Sequence, residues 1–195
     1  MKKIVIGISG KAQHGKDTSA EYLQSCLSGQ IVHFADLLKD QAKSLGWDGE
    51  KDEGGRKFIQ EFSKPIKDYG NWLAKKYPEK YAHYSNNNYY AALLYDEIIN
   101  SKESLFYIAD VRFLNEFELF KNSDEIKFIS IRVNRIDVDT KLPFDNGLTS
   151  EQQSHASEIE LDNVEMDYII INDTLENLYL QLANIINDLK MKGIF

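Results

Sequence analysis

Ile4-Val5-Ile6-Gly7-Ile8-Ser9-Gly10-Lys11-Ala12-Gln13-His14-Gly15-Lys16-Asp17-Thr18 decides how this chain of 195 residues is read. An apolar run ends in a glycine, four residues follow, and Gly15-Lys16 opens an amphipathic stretch. Glycines let the backbone curl tightly, so that successive N–H groups point inward at an anion. A helix starting near Gly15 adds the positive end of its dipole, and Lys16 brings a mobile ammonium to the outer phosphates. The spacing therefore predicts a phosphate-binding loop between a strand and a helix. Gly10, Lys11, Ala12, Gln13, His14, Gly15, Lys16, Asp17 and Thr18 are its expected nucleotide contacts. A glycine-rich turn without a ligand is the plain alternative.

The residue after Lys16 refines this reading. Many such loops place a Mg²⁺-binding hydroxyl there. Here the position holds Asp17, and the hydroxyl comes one place later at Thr18, so both are candidate metal ligands. The variant favours a small-molecule kinase over a motor ATPase or a GTPase.

Composition sets the outer bounds. One domain spanning residues 1–195 is expected, long enough to bury about 70% of its unfolded surface. Hydrophobic residues at 43% and charged residues at 28% are ordinary for a soluble globular protein. A net charge of −8 speaks against a polyanion-binding surface, and so against nucleic acid polymers, though not against a mononucleotide. Cys26 is the only cysteine, which excludes an internal disulfide and a cysteine zinc site. The apolar run after Met1-Lys2-Lys3 is too short for a signal peptide, and no stretch approaches a membrane span. A cytoplasmic protein without a membrane partner is expected.

Five apolar runs read as strands: Lys3–Ile8, Gln30–Phe34, Leu105–Ala109, Ile126–Val133 and Tyr168–Ile171. They are continuous rather than alternating, and helical stretches separate them, which predicts a parallel sheet covered on both faces. The helical stretches are Lys16–Leu27, Leu37–Leu45, Arg56–Lys76 with a break at Pro65, Tyr89–Ile99, Phe113–Lys121 and Leu175–Lys190. The expected architecture is a three-layer α/β fold with a five-stranded parallel sheet. Ligands of such sheets sit at the carboxyl ends of the strands. An acceptor-binding region is therefore expected at about 47–100 and a lid at about 135–163.

Further candidates lie at those strand ends. Asp110 closes the third strand, where an acidic residue either supports Mg²⁺ or caps the helix that follows. Arg112 either faces the meeting point of the phosphoryl groups or pairs with Glu116. Asp36 and Lys39 follow the second strand. Asp36 suits a sugar or base contact and equally an N-cap; Lys39 or Lys43 suits a phosphate. Arg56 and Gln60, one helical turn apart, suit an acceptor phosphate and a base edge, or an exposed helix face. Arg135, after the fourth strand, is a candidate lid arginine for the γ-phosphate. His155 beside Ser154 and Ser157 lacks the setting of a hydrolase nucleophile, and Ser157 reads as an N-cap.

In order along the chain stand ISGKAQHGKDT (8–18), FADLLK (34–39), GRKFIQ (55–60), IADVRFLNE (108–116), IRVNR (131–135), HASE (155–158) and DYIIINDTLENL (167–178). This series resembles the bacteriophage deoxynucleoside monophosphate kinases, relatives of the adenylate kinase-like group. The resemblance implies transfer of the γ-phosphate of ATP to a deoxynucleoside 5′-monophosphate with Mg²⁺, in host cytoplasm. It implies that residues 10–18 cradle ATP and Asp110 supports the metal. Arg112 and Arg56 would bind the acceptor phosphate, and Arg135 would act from the lid. It also allows a homodimer. Leu37 and Leu114 stand where proline is more usual, and Ser63–Asp68 lacks an expected Gly-Thr and arginine, for which Lys64 or Lys67 substitutes. The alternatives are a kinase of another small metabolite, of the phosphomevalonate or dephospho-coenzyme A type, and a non-catalytic nucleotide-binding regulator.

Overall fold

Five strands pair in parallel in the order β2-β3-β1-β4-β5, as the continuous apolar runs predict. The computed structural model describes residues 2–50 and 52–195, without the side chains of Glu53, Arg56 and Glu151. β1 (Lys3–Ser9) leads through the glycine loop into α1 (Lys16–Leu27). β2 (Gln30–Val32) is followed by α2 (Phe34–Ser44), α3 (Glu53–Lys76), α4 (Pro78–Tyr81), a 3₁₀ turn (Ala82–Tyr84) and α5 (Tyr89–Asn100). β3 (Leu105–Val111) precedes α6 (Leu114–Lys121), and β4 (Ile126–Arg135) precedes α7 (Ser150–Gln153) and α8 (Ala156–Ile159). β5 (Tyr168–Asn172) and α9 (Leu175–Met191) complete the order.

Strand periodicity divides the core between two faces. Ile6, Ile8, Tyr107, Ile129 and Ile131 pack toward α1 and α9, where Leu23, Leu178 and Leu182 meet them. Val5, Phe106, Ile108 and Phe128 point the other way, onto Phe34, Leu94, Phe117 and Phe120 of α2, α5 and α6. β1 and β3 are covered on both faces and show no polar alternation, whereas one face of β5 is open at Ile169 and Ile171. β1 lies between β3 and β4, Ile6 standing opposite Tyr107 and Ile129. The glycine loop thus leaves the centre of the sheet, between the carboxyl ends of its neighbours.

Three local expectations change. Phe34 begins α2 rather than ending β2, because the N–H groups of Phe34 and Ala35 are taken up by the Asp110 carboxylate (3.0 and 3.4 Å). α3 runs unbroken through Pro65. A proline inside a helix costs about 3 kcal/mol and orphans one carbonyl. Here the carbonyl four residues back belongs to Glu61; both residues are exposed, and α3 is held by packing on α2, α5 and the 3₁₀ turn. α8 is capped by the ring of His155, which accepts the Ser157 N–H at 3.3 Å, so Ser157 lies inside the helix it was expected to cap. Among the described residues, no helix is long and apolar enough to cross a membrane.

Candidate active site

The glycine loop is shaped from both sides. Gly15 has φ +99°, and a Cβ there would lie 2.7 Å from the Asn172 amide, which donates to the His14 carbonyl at 2.9 Å. The end of β5 therefore buttresses the turn into α1. His14 is buried, and its Nδ1 lies 3.1 Å from the Arg135 N–H. The same Nδ1 also lies 3.2 Å from the Val133 carbonyl, and burial lowers the His14 pKa. Lys16 is 6% exposed and donates to the Lys11 carbonyl at 2.8 Å, across the loop. Burial and the nearby Arg112 guanidinium push its ammonium down to about 8.

Two clefts at this end of the sheet carry sequence candidates, and Lys16 lines the first. The first, about 340 Å³, is lined by Lys16, Asp17, Thr18, Arg135 and the turn Asn172–Leu175 between β5 and α9. Arg135 is the last residue of β4, donates to the Gln13 carbonyl at 3.1 Å and stacks on Phe144 at 3.9 Å. It is part of the sheet, at the mouth of this cleft. The second cleft, about 530 Å³, is lined by Lys67, Asn86, Tyr90, Asp110, Arg112 and Asn115 among others. Its floor is the carboxyl end of β3, and its walls come from α2, α3, α5 and α6.

Of the other sequence candidates, Asp17 and Lys67 line the clefts, and Asp36, Lys39, Gln60 and Lys64 fall outside both. Asp36, in the first turn of α2, pairs with Lys39 at 3.2 Å and His33 at 3.0 Å, and neither Asp36 nor Lys39 lines the second cleft. Nor is Asp36 the N-cap of α2, a role held by His33 with Asp110 serving the amides. Asp17 is open to solvent and lies 3.5 Å from His33. Gln60 is exposed on α3, and the side chain of Arg56 lies outside the described residues. Of the two substitute lysines, Lys67 lines the cleft, whereas Lys64 pairs with Glu61 at 2.7 Å.

The acids near β3 exchange roles relative to expectation. Asp110 caps α2, not α6. The amides before α6 are served by Glu116, which accepts the N–H groups of Arg112 (2.9 Å) and Phe113 (3.1 Å). Burial raises both carboxyls, Glu116 to about 8, with Asp110 adding like-charge repulsion. Arg112 does not pair with Glu116. Its guanidinium pairs with Glu158, 146 residues after Ala12 and brought over the loop by α8.

The segment after α7 carries what the sequence reading left unassigned. Glu158, Glu160 and Asp162 alternate with Ile159 and Leu161, and Leu161 is anchored in the core. Glu158 accepts from Ala12 N and Arg112 Nη1, each at 3.0 Å. Glu160 accepts from Leu114 N at 3.0 Å, and Asp162 pairs with Arg132 and with Lys11 at 3.6 Å. A strap of three carboxylates thus crosses the ends of β1, β3 and β4. The alternation of acids with apolar residues is the signal that marks it.

Hard oxygen donors suited to Mg²⁺ face the clefts at Thr18 and Asp17 on one side and Asp110 on the other. Among the described residues, no three His, Cys, Asp or Glu side chains cluster as a metal centre.

No protein-family model matches the chain, and no curated protein matches it in sequence. Solved structures do. APS kinase of Mycobacterium tuberculosis, in complex with AMPPNP and APS, has a TM-score of 0.48 over 97% of this chain and 98% of its own, at 13% identity. Shikimate kinase from Bacteroides thetaiotaomicron has 0.47 over 94% and 98%, at 13%. A kinase candidate from Chloroflexus aurantiacus reaches 0.52 over 96% and 98%, also at 13% identity. This last likeness establishes a shared three-layer α/β fold, and at that identity the fold alone.

Proposed function

We propose that the chain is an ATP-dependent kinase that transfers the γ-phosphoryl group to the 5′-phosphate of a deoxynucleoside monophosphate. The observation that carries the reading is a pair of clefts at the carboxyl ends of the strands, one lined by Lys16 of the glycine loop and the other by Arg112, whose guanidinium lies near enough to lower the Lys16 pKa. ATP would lie in the first cleft, its phosphates on the loop amides and Lys16, with Arg135 and the β5–α9 turn at its mouth. The acceptor would enter the second cleft, its phosphate held by Arg112 and Lys67 and its sugar and base among Asn86, Tyr90 and Asn115.

The acceptor atom is an ionised phosphate oxygen, so no strong general base is required. Positioning and charge carry the rate. Mg²⁺, when held near Thr18 and Asp110, would offset charge on the donor phosphates. Lys16 and Arg112 do the same from either side, in surroundings where Lys16 is nearly dry and each charge counts for more than in water.

Lys16 gives a pH signature. Its ammonium titrates near 8 in the free protein, and bound phosphate favours the charged form. Nucleotide binding at about pH 8.5 is therefore expected to take up protons, seen as a binding heat that varies with buffer ionisation. The same heat in every buffer would contradict this. The linkage to folding has the opposite direction. Between about 8 and 10.5 the folded chain holds fewer protons at Lys16 than the unfolded chain, so this residue's cost to stability is full below pH 8 and relieved as pH rises.

The reading itself is tested by supplying Mg-ATP with each deoxy- and ribonucleoside monophosphate in turn and following ADP release. Turnover that requires one or more monophosphates supports it. ATP binding without turnover on any of them removes the acceptor assignment.

A further inference from the structure

Glu158 is 7% exposed and lies between the glycine loop and the Arg112 guanidinium. One carboxylate oxygen accepts the Ala12 N–H of the glycine loop, and the other accepts Arg112 Nη1, both at 3.0 Å. A carboxylate taken from water must be matched by strong partners, and these are a charge-assisted bond and a loop amide. Its neighbours on the strap are committed elsewhere, Glu160 to the start of α6 and Asp162 to Arg132 and Lys11. The Arg112 backbone is fixed separately through Glu116. Glu158 therefore sets the direction of the guanidinium of Arg112, a residue of the second cleft's lining.

We propose that Glu158 is a positioning residue that ties the donor loop at Ala12 to the acceptor-side guanidinium of Arg112, fixing the spacing across which a phosphoryl group passes. The inference rests on the kinase reading above and deepens it. Because the strap ends the segment that follows β4, Glu158 links residues 135–163 to Ala12 and Arg112 at once, beside the contacts of Glu160 with Leu114 and of Asp162 with Lys11. Removing the carboxylate leaves Arg112 free to turn toward solvent, and a misplacement of about 1 Å costs about 100-fold in transfer.

The test uses the full chain as wild type, Glu158→Gln, Glu158→Ala, Arg112→Ala and the Arg112→Ala/Glu158→Ala double variant. Nitrogen-15 spectra of the arginine side chains, with Arg112 assigned by its loss in Arg112→Ala, are expected to show a rotationally restrained guanidinium in wild type and an averaged one in Glu158→Gln. In turnover, Glu158→Ala is expected to lower kcat about 100-fold while KM for ATP stays within about threefold, and the double variant to be no slower than Arg112→Ala. An Arg112 signal equally restrained in Glu158→Gln overturns the proposal. So do additive losses in the double variant, or a Glu158→Gln protein that binds an ATP analogue more tightly and turns over as fast as wild type. If wild type phosphorylates no acceptor, the kinase reading fails. The Arg112 spectrum still decides in that case whether Glu158 holds the guanidinium, and it is the readout that remains if Glu158→Ala does not fold.

Discussion

Replacing Lys16 with alanine is expected to lower phosphoryl transfer by about 10³-fold or more while leaving the fold intact. The side chain reaches across the loop to the Lys11 carbonyl, and its ammonium is the charge closest to where donor phosphates would lie. Nothing else in the first cleft takes its place, since Arg135 is engaged by the Gln13 carbonyl and Phe144 at the mouth. The fold survives because Lys16 contributes no apolar core, and its burial costs desolvation that alanine avoids. Circular dichroism would verify folding, and turnover under saturating Mg-ATP would measure the loss. Near-normal turnover in a folded Lys16→Ala protein would remove the glycine loop from the chemistry.

Gly10→Ala is expected to have the largest effect on stability. Gly10 has φ +150°, and a Cβ there would lie 2.5 Å from the carbonyl oxygen of Val133 in β4. That atom belongs to the backbone of a strand buried in the core, so it cannot swing aside as a side chain would. Strain and clash together are expected to cost about 3 kcal/mol, or about 9 °C in melting temperature for a chain of this size. Relief by moving the loop would carry its amides away from one another, so nucleotide binding is expected to weaken as well. Thermal denaturation alongside titration with an ATP analogue checks both. A Gly10→Ala protein that melts with wild type and binds as tightly would show that the loop has room the geometry denies it.

The parts of this molecule legible in its sequence are those fixed by local periodicity. The central strands read as continuous apolar runs because both their faces are covered, and α9 reads from Leu175, Leu178, Leu182, Ile185, Ile186 and Leu189 at helical spacing, of which Leu175 alone is exposed. Asp173 and Thr174 both suit its N-cap by position, and it is the Thr174 hydroxyl that accepts the Asn177 N–H, at 3.2 Å. The glycine loop was visible because spacing and context coincide. Pro65 misled because a helix break is the rule only where the orphaned carbonyl has nowhere to go.

The second cleft was hardly legible. Its lining comes from Lys67, Asn86, Tyr90 and Asn115 on separate elements, and no sequence interval announces that α3, α5 and α6 converge on β3. Asp36 and Lys39 looked like ligands by their place after a strand, yet β2 is the edge strand, and they pair with one another at the surface. The exchange between Asp110 and Glu116 has the same origin. Each is near a helix start, and only the packing of β3 against α2 decides that Asp110 serves the earlier helix. Glu158 shows the limit most clearly, since the carboxylate bonded to Ala12 comes from a segment distant in sequence whose only local signal is an alternation of acids.

One measurement bears most directly on the central claim. ATP labelled in its γ-phosphate is incubated with Mg²⁺, the protein and a mixture of deoxynucleoside monophosphates, and the products are separated. The account predicts label in a deoxynucleoside diphosphate with wild type and almost none with Lys16→Ala. Label found only as inorganic phosphate, or in no product while ATP is bound, would contradict it.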